Sequence, residues 1–244
     1  SIDYLVYAGH KMYAPFGAAV LIGPKERFIK GDPDSVGGGT VSYVTLNEVQ
    51  WAHLPDKEES GSPNVIGALA LSSAIDFYNQ TGFDKIKEHE IQLTKYALER
   101  FAKYDSIKLY GPSKWLHDQD RLGVISFNMD GCYHGVVAAI LSYEGAIAVR
   151  NGCFCAHPYI QRLMKISDEQ SALFRAQIND GDRSVIPGMI RVSFGIYNSI
   201  AEIDRFFKVI DKIIKGKYRG EYEIDKRLGQ AYPKNYQFPS GIEF

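Results

Sequence analysis

The chain opens on an apolar stretch at residues 2–7, and any fold proposed for it must accommodate this opening. Its apolar and aromatic side chains predict a strand that is buried in a core. A turn follows at residues 9–11, and residues 18–22 predict a second short strand that Gly23 and Pro24 end. Natural domains rarely begin inside a core strand. We therefore expect the sequence to be a piece of a longer protein.

Two helices are predicted next. The first begins at Pro63 or Asn64 and runs to Asn79, and Gly82 stops it. Apolar residues cover much of its surface, so we expect this helix to be buried between layers of the fold. The second helix, over residues 84–104, is amphipathic and carries its apolar side chains on one stripe.

Short strands alternate with helices in the remainder of the chain. Strands are predicted over residues 107–110, 123–128, 146–149 and 190–195, and a helix over residues 134–143. Ser199 and Glu202 fit a capping box that opens a further helix, which Gly216 ends. This order predicts an α+β layer over residues 64–216. Residues 217–244 lack periodicity and are expected to form an extended tail on the surface.

Composition limits the partners of the protein. The 244 residues include 28 Lys and Arg against 29 Asp and Glu, and the net charge is −1. Nucleic acid and anionic membranes bind basic surfaces, so neither is expected as a partner. No apolar run approaches the roughly 20 residues of a membrane span. Three cysteines do not make a disulfide framework, and we expect a protein of the reducing cytoplasm.

Lys11 follows the first strand, in a loop that Gly9, Pro15 and Gly17 restrict. An amine in a partly desolvated site loses proton affinity and becomes a nucleophile for a carbonyl group. Lys11 is therefore a candidate for a lysine that forms a Schiff base. The alternative is a solvated surface lysine, because most lysines in proteins are exposed.

Two glycine-containing segments are candidates for phosphate binding. The first is Gly37-Gly38-Gly39-Thr40, and the second contains Ser62 directly before the start of a predicted helix. Free N–H groups and the helix dipole favour anions at such a start. The alternative is an ordinary helix cap and a flexible loop.

Cys153 and Cys155 lie in a loop after a predicted strand, with Arg150 and His157 near them in sequence. Neighbouring cationic groups lower the pKa of a thiol and make it nucleophilic. The alternative is a pair of buried, inert cysteines. A zinc site is disfavoured, because structural zinc needs about four ligands and the sequence has no second cysteine pair. Cys132 is isolated and is expected to be structural.

Arg191 interrupts an apolar strand. A charge in such a position is paired or functional, because burying it without a partner is costly. Its guanidinium group suits a bidentate grip on a carboxylate. The alternative is a structural salt bridge, and the residue alone does not decide between the two.

Taken in order, five segments of the sequence resemble one family. They are residues 7–17 around Lys11, residues 37–39, residues 59–64, residues 147–158 and residues 191–198. Together they resemble the cysteine desulfurases and selenocysteine lyases. These enzymes belong to the class V aminotransferase branch of the fold-type I pyridoxal-phosphate (PLP) enzymes.

The resemblance implies an α/β fold and a division of the chain into three parts. Residues 1–62 would be the C-terminal part of the PLP-binding large domain. Residues 63–216 would form a small α+β C-terminal domain together with its connecting helix. Residues 217–244 would be an extended tail.

The resemblance implies how PLP would be bound. Lys11 would bond covalently to PLP and then shuttle the α-proton of the substrate, and His10 would contact the cofactor phosphate. Gly38, Gly39 and Ser62 would reach the phosphate of the neighbouring subunit. The working unit would therefore be a homodimer.

The resemblance also implies how the substrate would react. Arg191, with Arg150 near it, would hold the carboxylate of a small amino-acid substrate. Cys155 would attack the substrate sulfur and carry it away as a persulfide, from which an acceptor protein could take it. No metal is implied. The function that follows is C–S bond cleavage by a cysteine desulfurase-like enzyme.

Two features keep other functions open. Residues 159–188 form an insertion relative to short desulfurases, and they could cover the site or alter the substrate. A PLP-dependent aminotransferase, epimerase or lyase that acts on another amino acid is therefore a second hypothesis. The strand-like opening and the absent upstream motifs support a third, a non-catalytic fragment of such an enzyme.

Overall fold

The computed structural model describes residues 2–111 and 121–237 of the chain. The chain divides into two compact units, the first ending at Phe83 and the second beginning at Asp84. This division lies one helix later than the expected boundary between residues 62 and 63. The assignment of the two regions to a large PLP-binding domain and a small domain stays a prediction.

A β-hairpin opens the first unit. Strand β1 (Leu5–Ala8) pairs antiparallel with β2 (Ala19–Ile22), and Leu5 lies opposite Ile22. A 3-10 turn (Gly9–Met12) follows β1 directly. Both predicted strands and the predicted turn are therefore confirmed. The expectation that the first strand is buried is wrong within this unit, since Leu5 and Val6 are 48% and 69% exposed.

A second hairpin lies further along the first unit. The remaining elements of this unit are helix α1 (Lys25–Ile29), strands β3 (Val41–Val44) and β4 (Val49–Trp51), a 3-10 turn (Asp56–Glu58) and helix α2 (Val65–Thr81). Strands β3 and β4 pair antiparallel. The sequence pattern does not predict them, because both are short and largely exposed and therefore have no buried face.

Helix α2 begins and ends close to where the sequence predicts. The side-chain oxygen of Asn64 accepts a hydrogen bond from the Gly67 amide at 2.9 Å, and Gly82 follows the helix with a φ of +89°. The expectation that α2 is buried is wrong within this unit, since Val65 and Ile66 are 58% and 65% exposed. A hairpin of two strands is too narrow to cover a helix of this length on several sides.

A four-stranded antiparallel sheet forms the centre of the second unit. Its strands, in spatial order, are β5 (Ile107–Tyr110), β6 (Val124–Met129), β8 (Met189–Ser193) and β7 (Arg150–Gly152). The helices that share its core are α3 (Phe83–Phe101), α4 (His134–Gly145) and α7 (Ile200–Ile214). The Ser199 amide donates to the Glu202 carboxylate at 2.8 Å, which confirms the predicted capping box at the start of α7. Within the described ranges, no helix is both long and apolar enough to cross a membrane.

The strand predicted over residues 146–149 is wrong. Ala146 ends α4 in the left-handed conformation, with a φ of +51°, and β7 begins only at Arg150. Ile147 and Val149 are partly buried against the core of the second unit. Their apolar character therefore reflects packing between elements and not membership of a strand.

The insertion and the tail both have secondary structure. The insertion contains most of helix α5 (His157–Met164) and all of helix α6 (Asp168–Asn179). The tail forms a hairpin of β9 (Tyr222–Asp225) and β10 (Gln230–Pro233), which corrects the expectation of an unpaired extended segment. Backbone polar groups need hydrogen-bond partners, and two short paired strands supply them locally. Residues 238–244 of the predicted tail lie outside the described residues.

Candidate active site

Lys11 lies on a turn whose backbone is closed by hydrogen bonds. The Gly9 amide donates to the Ala18 carbonyl at 2.7 Å, and the Ala14 amide donates to the Gly9 carbonyl at 2.9 Å. A Cβ atom on Gly9 would lie 3.1 Å from the Ala18 oxygen, so a side chain there would crowd the backbone of the turn. His10 and Lys11 are both exposed. The first unit therefore places the Lys11 amine, next to the His10 imidazole, on a well-defined turn that is open to solvent, and not in the expected partly desolvated site.

The glycine loop and the Ser62 segment lie against each other. The Gly61 amide donates to the Gly38 carbonyl at 2.8 Å, and the Ser35 and Ser60 hydroxyl oxygens are 3.0 Å apart. The side chain of Thr40 is fully buried, and its hydroxyl donates to the Gly37 carbonyl at 2.7 Å. The two segments that the sequence analysis proposed separately for phosphate binding thus form one structural element.

The surface of this element is open. A Cβ atom on Gly38 or Gly39 would meet no other atom within 4 Å, and Gly39 has a φ of +89°. Ser62 is exposed, and the cap of α2 is supplied by Asn64 instead. A serine hydroxyl beside exposed backbone of two glycines is a donor set that suits a phosphate group. The residues of the first unit therefore fit the phosphate-bearing, aldehyde-bearing cofactor that the family resemblance implies.

Asn64 connects this element to the turn that carries Lys11. Its side-chain nitrogen donates to the Phe16 carbonyl at 2.7 Å, while its oxygen caps α2. Phe16 lies in the loop between the Lys11 turn and β2, and it has a φ of +70°. One carboxamide thus fixes the loop beyond Lys11 to the start of the helix that follows Ser62. From the sequence, Asn64 is predicted as a helix start and is the last residue of the segment 59–64, without a predicted contact to Phe16.

Cys155 lies in a strained segment at the exit of β7. Phe154 and Cys155 both adopt the left-handed conformation, with φ values of +52° and +59°. Residues other than glycine rarely adopt this conformation, and such strain clusters at functional sites. A hydrogen bond from the Ala156 amide to the Cys153 carbonyl, 2.8 Å long, closes the segment. The Cys155 thiol is exposed, so a reaction partner can reach it.

Cys153 has the opposite environment. Its side chain is buried, and its thiol donates to the Pro187 carbonyl at 2.8 Å. Burial raises the pKa of the Cys153 thiol, so this group stays protonated and unreactive at neutral pH. The two cysteines of the loop are therefore distinct, one accessible and one held in the core.

Arg150 and Arg191 lie directly opposite each other in the β7–β8 ladder. Opposed residues of an antiparallel pair extend from the same face of the sheet, and like charges in this arrangement repel each other. Within the described ranges, the Nε atom of Arg191 is buried without a hydrogen-bond partner. An anion between the two guanidinium groups would relieve the repulsion and satisfy donors. The pairing of these two arginines is therefore suited to binding a carboxylate.

A buried histidine lies close to the end of β7, from which the Cys155 segment leaves the sheet. His134, the first residue of α4, has its Nε2 atom 3.3 Å from the Ile186 carbonyl oxygen, and burial lowers its pKa. A Cβ atom on Gly188 would lie 2.6 Å from the Gly152 Cα atom and 2.7 Å from this nitrogen. The chain at Gly188 thus passes between α4 and the end of β7. No sequence pattern indicates a functional role for His134, whereas the Pro187-Gly188 pair before a strand is a turn signal that could have pointed to Gly188.

Comparison with known proteins identifies the family. Residues 1–206 match the aminotransferase class-V family. The probable cysteine desulfurases of Halalkalibacterium halodurans and Vibrio cholerae are each 35% identical to the chain. The matches cover 86% and 87% of this chain but only 45% and 46% of the relatives. The chain thus spans about half the length of these relatives.

The fold matches solved structures of the same kind. The cysteine desulfurase CsdA of Escherichia coli, solved as an S-sulfonic acid, superposes with a TM-score of 0.70 at 25% identity, over 88% of this chain and 46% of that one. The cysteine desulfurase of Thermococcus onnurineus superposes with a TM-score of 0.69 at 30% identity, over 88% and 47%. On the match of its sequence and its fold, the chain belongs to the aminotransferase class-V family.

Proposed function

We propose that the chain is the C-terminal portion of a PLP-dependent cysteine desulfurase-like enzyme. The observation that carries the proposal is the environment of Cys155. This exposed thiol lies in a strained segment that leaves β7, the strand that carries Arg150 opposite Arg191. A carboxylate-binding pair on two neighbouring strands and a nucleophile on the exit loop of one of them suit an amino acid whose sulfur is to be removed.

PLP is part of this proposal. When bound, it supplies an electron sink that stabilises negative charge on the carbon next to nitrogen. The Lys11 amine holds the cofactor and then accepts the α-proton of the substrate at Nζ. His10 contacts the phosphate, and the element formed by Gly38, Gly39 and Ser62 binds a phosphate as well. The position of Lys11 on a turn next to His10 and the open glycine surface support these roles.

The second unit supplies the groups that bind the substrate and accept its sulfur, while C–S cleavage also depends on the cofactor that Lys11 holds. Arg191 and Arg150 bind the substrate carboxylate and orient the amino acid. The Cys155 thiolate attacks the substrate sulfur and forms a new S–S bond. The C–S bond breaks, its electron pair remains with the carbon fragment, and that carbon then takes up a proton. The persulfide on Cys155 leaves the site on its exposed segment.

The proposal extends to the assembly and its surroundings. We propose a homodimer in which the element formed by Gly38, Gly39 and Ser62 binds the cofactor phosphate of the neighbouring subunit. A persulfide needs an acceptor, so we propose a sulfur-acceptor protein as a further partner. A free thiol that works as a nucleophile needs reducing conditions, which supports the cytoplasm as its location.

The test uses the full-length protein from which this sequence comes, with cysteine as substrate and sulfide release as the readout. Cys155→Ala should abolish sulfide release and the mass gain of one sulfur atom on the protein. Cys153→Ala, the matched control, should retain both. Lys11→Ala should remove the absorbance of the lysine-bound cofactor.

Sulfide release at the full rate by Cys155→Ala would contradict the persulfide step. A panel of amino acids separates the reaction classes. Keto-acid formation from another amino acid without sulfide would contradict desulfuration and establish a different PLP reaction, for which the insertion at residues 159–188 is the motivating feature.

A further inference from the structure

A lysine is buried in the first unit without being part of any site described above. Lys57 is 4% exposed, and its Nζ atom lies 2.6 Å from the Gly31 carbonyl oxygen, 2.9 Å from that of Phe28 and 3.4 Å from that of Ile29. An ammonium group has three protons, and these carbonyls supply three acceptors. Its partner in an ion pair is Glu58 at 3.7 Å. Burial of a charge is costly, so these hydrogen bonds and the ion pair must offset the loss of hydration of the Lys57 ammonium group.

The three carbonyls lie at the end of helix α1 and just beyond it. The last carbonyl groups of a helix lack partners within the helix and carry partial negative charge. Lys57 satisfies them from a segment about thirty residues later in the chain. It therefore fixes the 3-10 turn Asp56–Glu58 to the start of the loop over residues 31–40.

The same two stretches of chain meet again a few residues later. The Gly61 amide donates to the Gly38 carbonyl, and the Ser60 hydroxyl contacts that of Ser35. A Cβ atom on Gly37 would lie 3.2 Å from the Ser60 Cβ atom. The segment from Lys57 to Gly61 is thus held at both of its ends. Lys57 bonds to the chain just before the glycine loop, and the Gly61 amide bonds to Gly38 within that loop.

We propose that Lys57 is a positioning residue for phosphate recognition. Its three hydrogen bonds hold the glycine loop and the Ser62 segment in register, so that Gly38, Gly39 and Ser62 act on one phosphate group as a preformed set. A site whose donors are held in advance binds more tightly than one that must be ordered on binding. This inference rests on the proposed function, because it takes the phosphate to be that of PLP.

The experiment compares two aldehydes that differ in the phosphate alone. PLP and pyridoxal are titrated into the apo form of the full-length protein, and binding is followed by the absorbance of the lysine-bound aldehyde. The variants are Lys57→Met, which removes the donors, and Lys57→Arg, which keeps them. Lys30→Met is the matched control, because it removes the same charge from an exposed position in the same unit.

Lys57→Met should weaken PLP binding about tenfold, which corresponds to about 1.4 kcal/mol, and should change pyridoxal binding by less than about twofold. Lys57→Arg should recover most of the loss, and Lys30→Met should bind both aldehydes like the unmodified protein. If Lys57→Met does not fold, as judged by circular dichroism, Lys57→Leu, which also lacks donors, takes its place with the same expectations.

Equal weakening of PLP and pyridoxal would overturn the inference, because a purely structural lysine affects both. Unchanged binding of both would overturn it as well. The proposed function is tested separately by the unmodified protein. If that protein binds PLP no better than pyridoxal, the phosphate site itself is wrong. If it prefers PLP and Lys57→Met keeps the full preference, only the role of Lys57 is wrong.

Discussion

The guanidinium carbon of Arg191 lies 4.9 Å from the centre of the Phe154 ring, and Phe154 directly precedes Cys155. A cation over an aromatic face is stabilised by the charge distribution of the ring. The contact therefore connects the proposed carboxylate-binding residue to the segment that carries the proposed nucleophile. Movement of the Cys155 segment and the orientation of Arg191 are expected to be coupled.

Phe154→Leu should weaken this coupling. The substitution removes the cation–π contact, which is worth about 0.5–1 kcal/mol at a partly exposed site, while it retains an apolar side chain. We expect a rise of a few fold in KM for the amino-acid substrate. Phe154→Tyr, which keeps the aromatic face, should behave like the unmodified enzyme. Steady-state kinetics of sulfide release in the full-length protein measures both, and an unchanged KM in Phe154→Leu would contradict the coupling.

Gly188→Ala should destabilise the second unit. The added methyl group would lie 2.6 Å from the Gly152 Cα atom, which belongs to the backbone and cannot move aside cheaply. Overpacking of this kind costs about 1–3 kcal/mol. Gly38→Ala is the control, because its methyl group would meet open space. Urea denaturation of both variants gives the free energies of unfolding, and equal values would show that the chain at Gly188 relaxes freely.

Asn64 offers a test that separates two hydrogen bonds of one side chain. Asn64→Ala removes both the cap of α2 and the bond to Phe16 and should cost about 1–2 kcal/mol. Asn64→Ser keeps a capping oxygen and loses the bond to Phe16, so it should recover part of the stability. Cofactor binding should remain weakened in both variants if the Phe16 bond positions the Lys11 loop. Full recovery of binding in Asn64→Ser would assign the effect to the cap alone.

Glu144 connects α4 to the tail and should make stability depend on pH. Burial alone raises the pKa of its carboxyl group. Hydrogen bonds from the Gly220 and Arg219 amides and from the Tyr222 hydroxyl outweigh burial and lower it. A carboxyl group with a lowered pKa in the folded state stabilises the protein above its unfolded pKa, and this contribution disappears as pH falls through the folded pKa.

The corresponding variant is Glu144→Gln. The difference in free energy of unfolding between the unmodified protein and Glu144→Gln should be present at pH 7 and should shrink as the pH falls below about 4.5, the usual value for a glutamate. Urea denaturation across this pH range measures the difference. A difference that stays constant down to pH 3 would show that the charge of Glu144 does not contribute through its hydrogen bonds.

Local sequence signals determined much of the secondary structure and the candidate residues. Asn64 and Gly82 set the ends of α2, and Ser199 with Glu202 set the start of α7, because caps act on backbone groups within a few residues. Residue types near Lys11 and Cys155 made both segments candidates, and the resemblance to a family implied their roles. Such signals involve residues close together in the chain, so they can be recognised in the sequence without knowledge of the fold.

Tertiary structure decided the relationships between residues that are distant in sequence. The register that opposes Arg150 to Arg191, the burial of Cys153 against Pro187 and the three carbonyls around Lys57 each join segments about thirty or more residues apart. The exposure of α2 was likewise set by the neighbours available for packing. No pattern within a single segment encodes such contacts, because their energy depends on which surfaces the fold brings together.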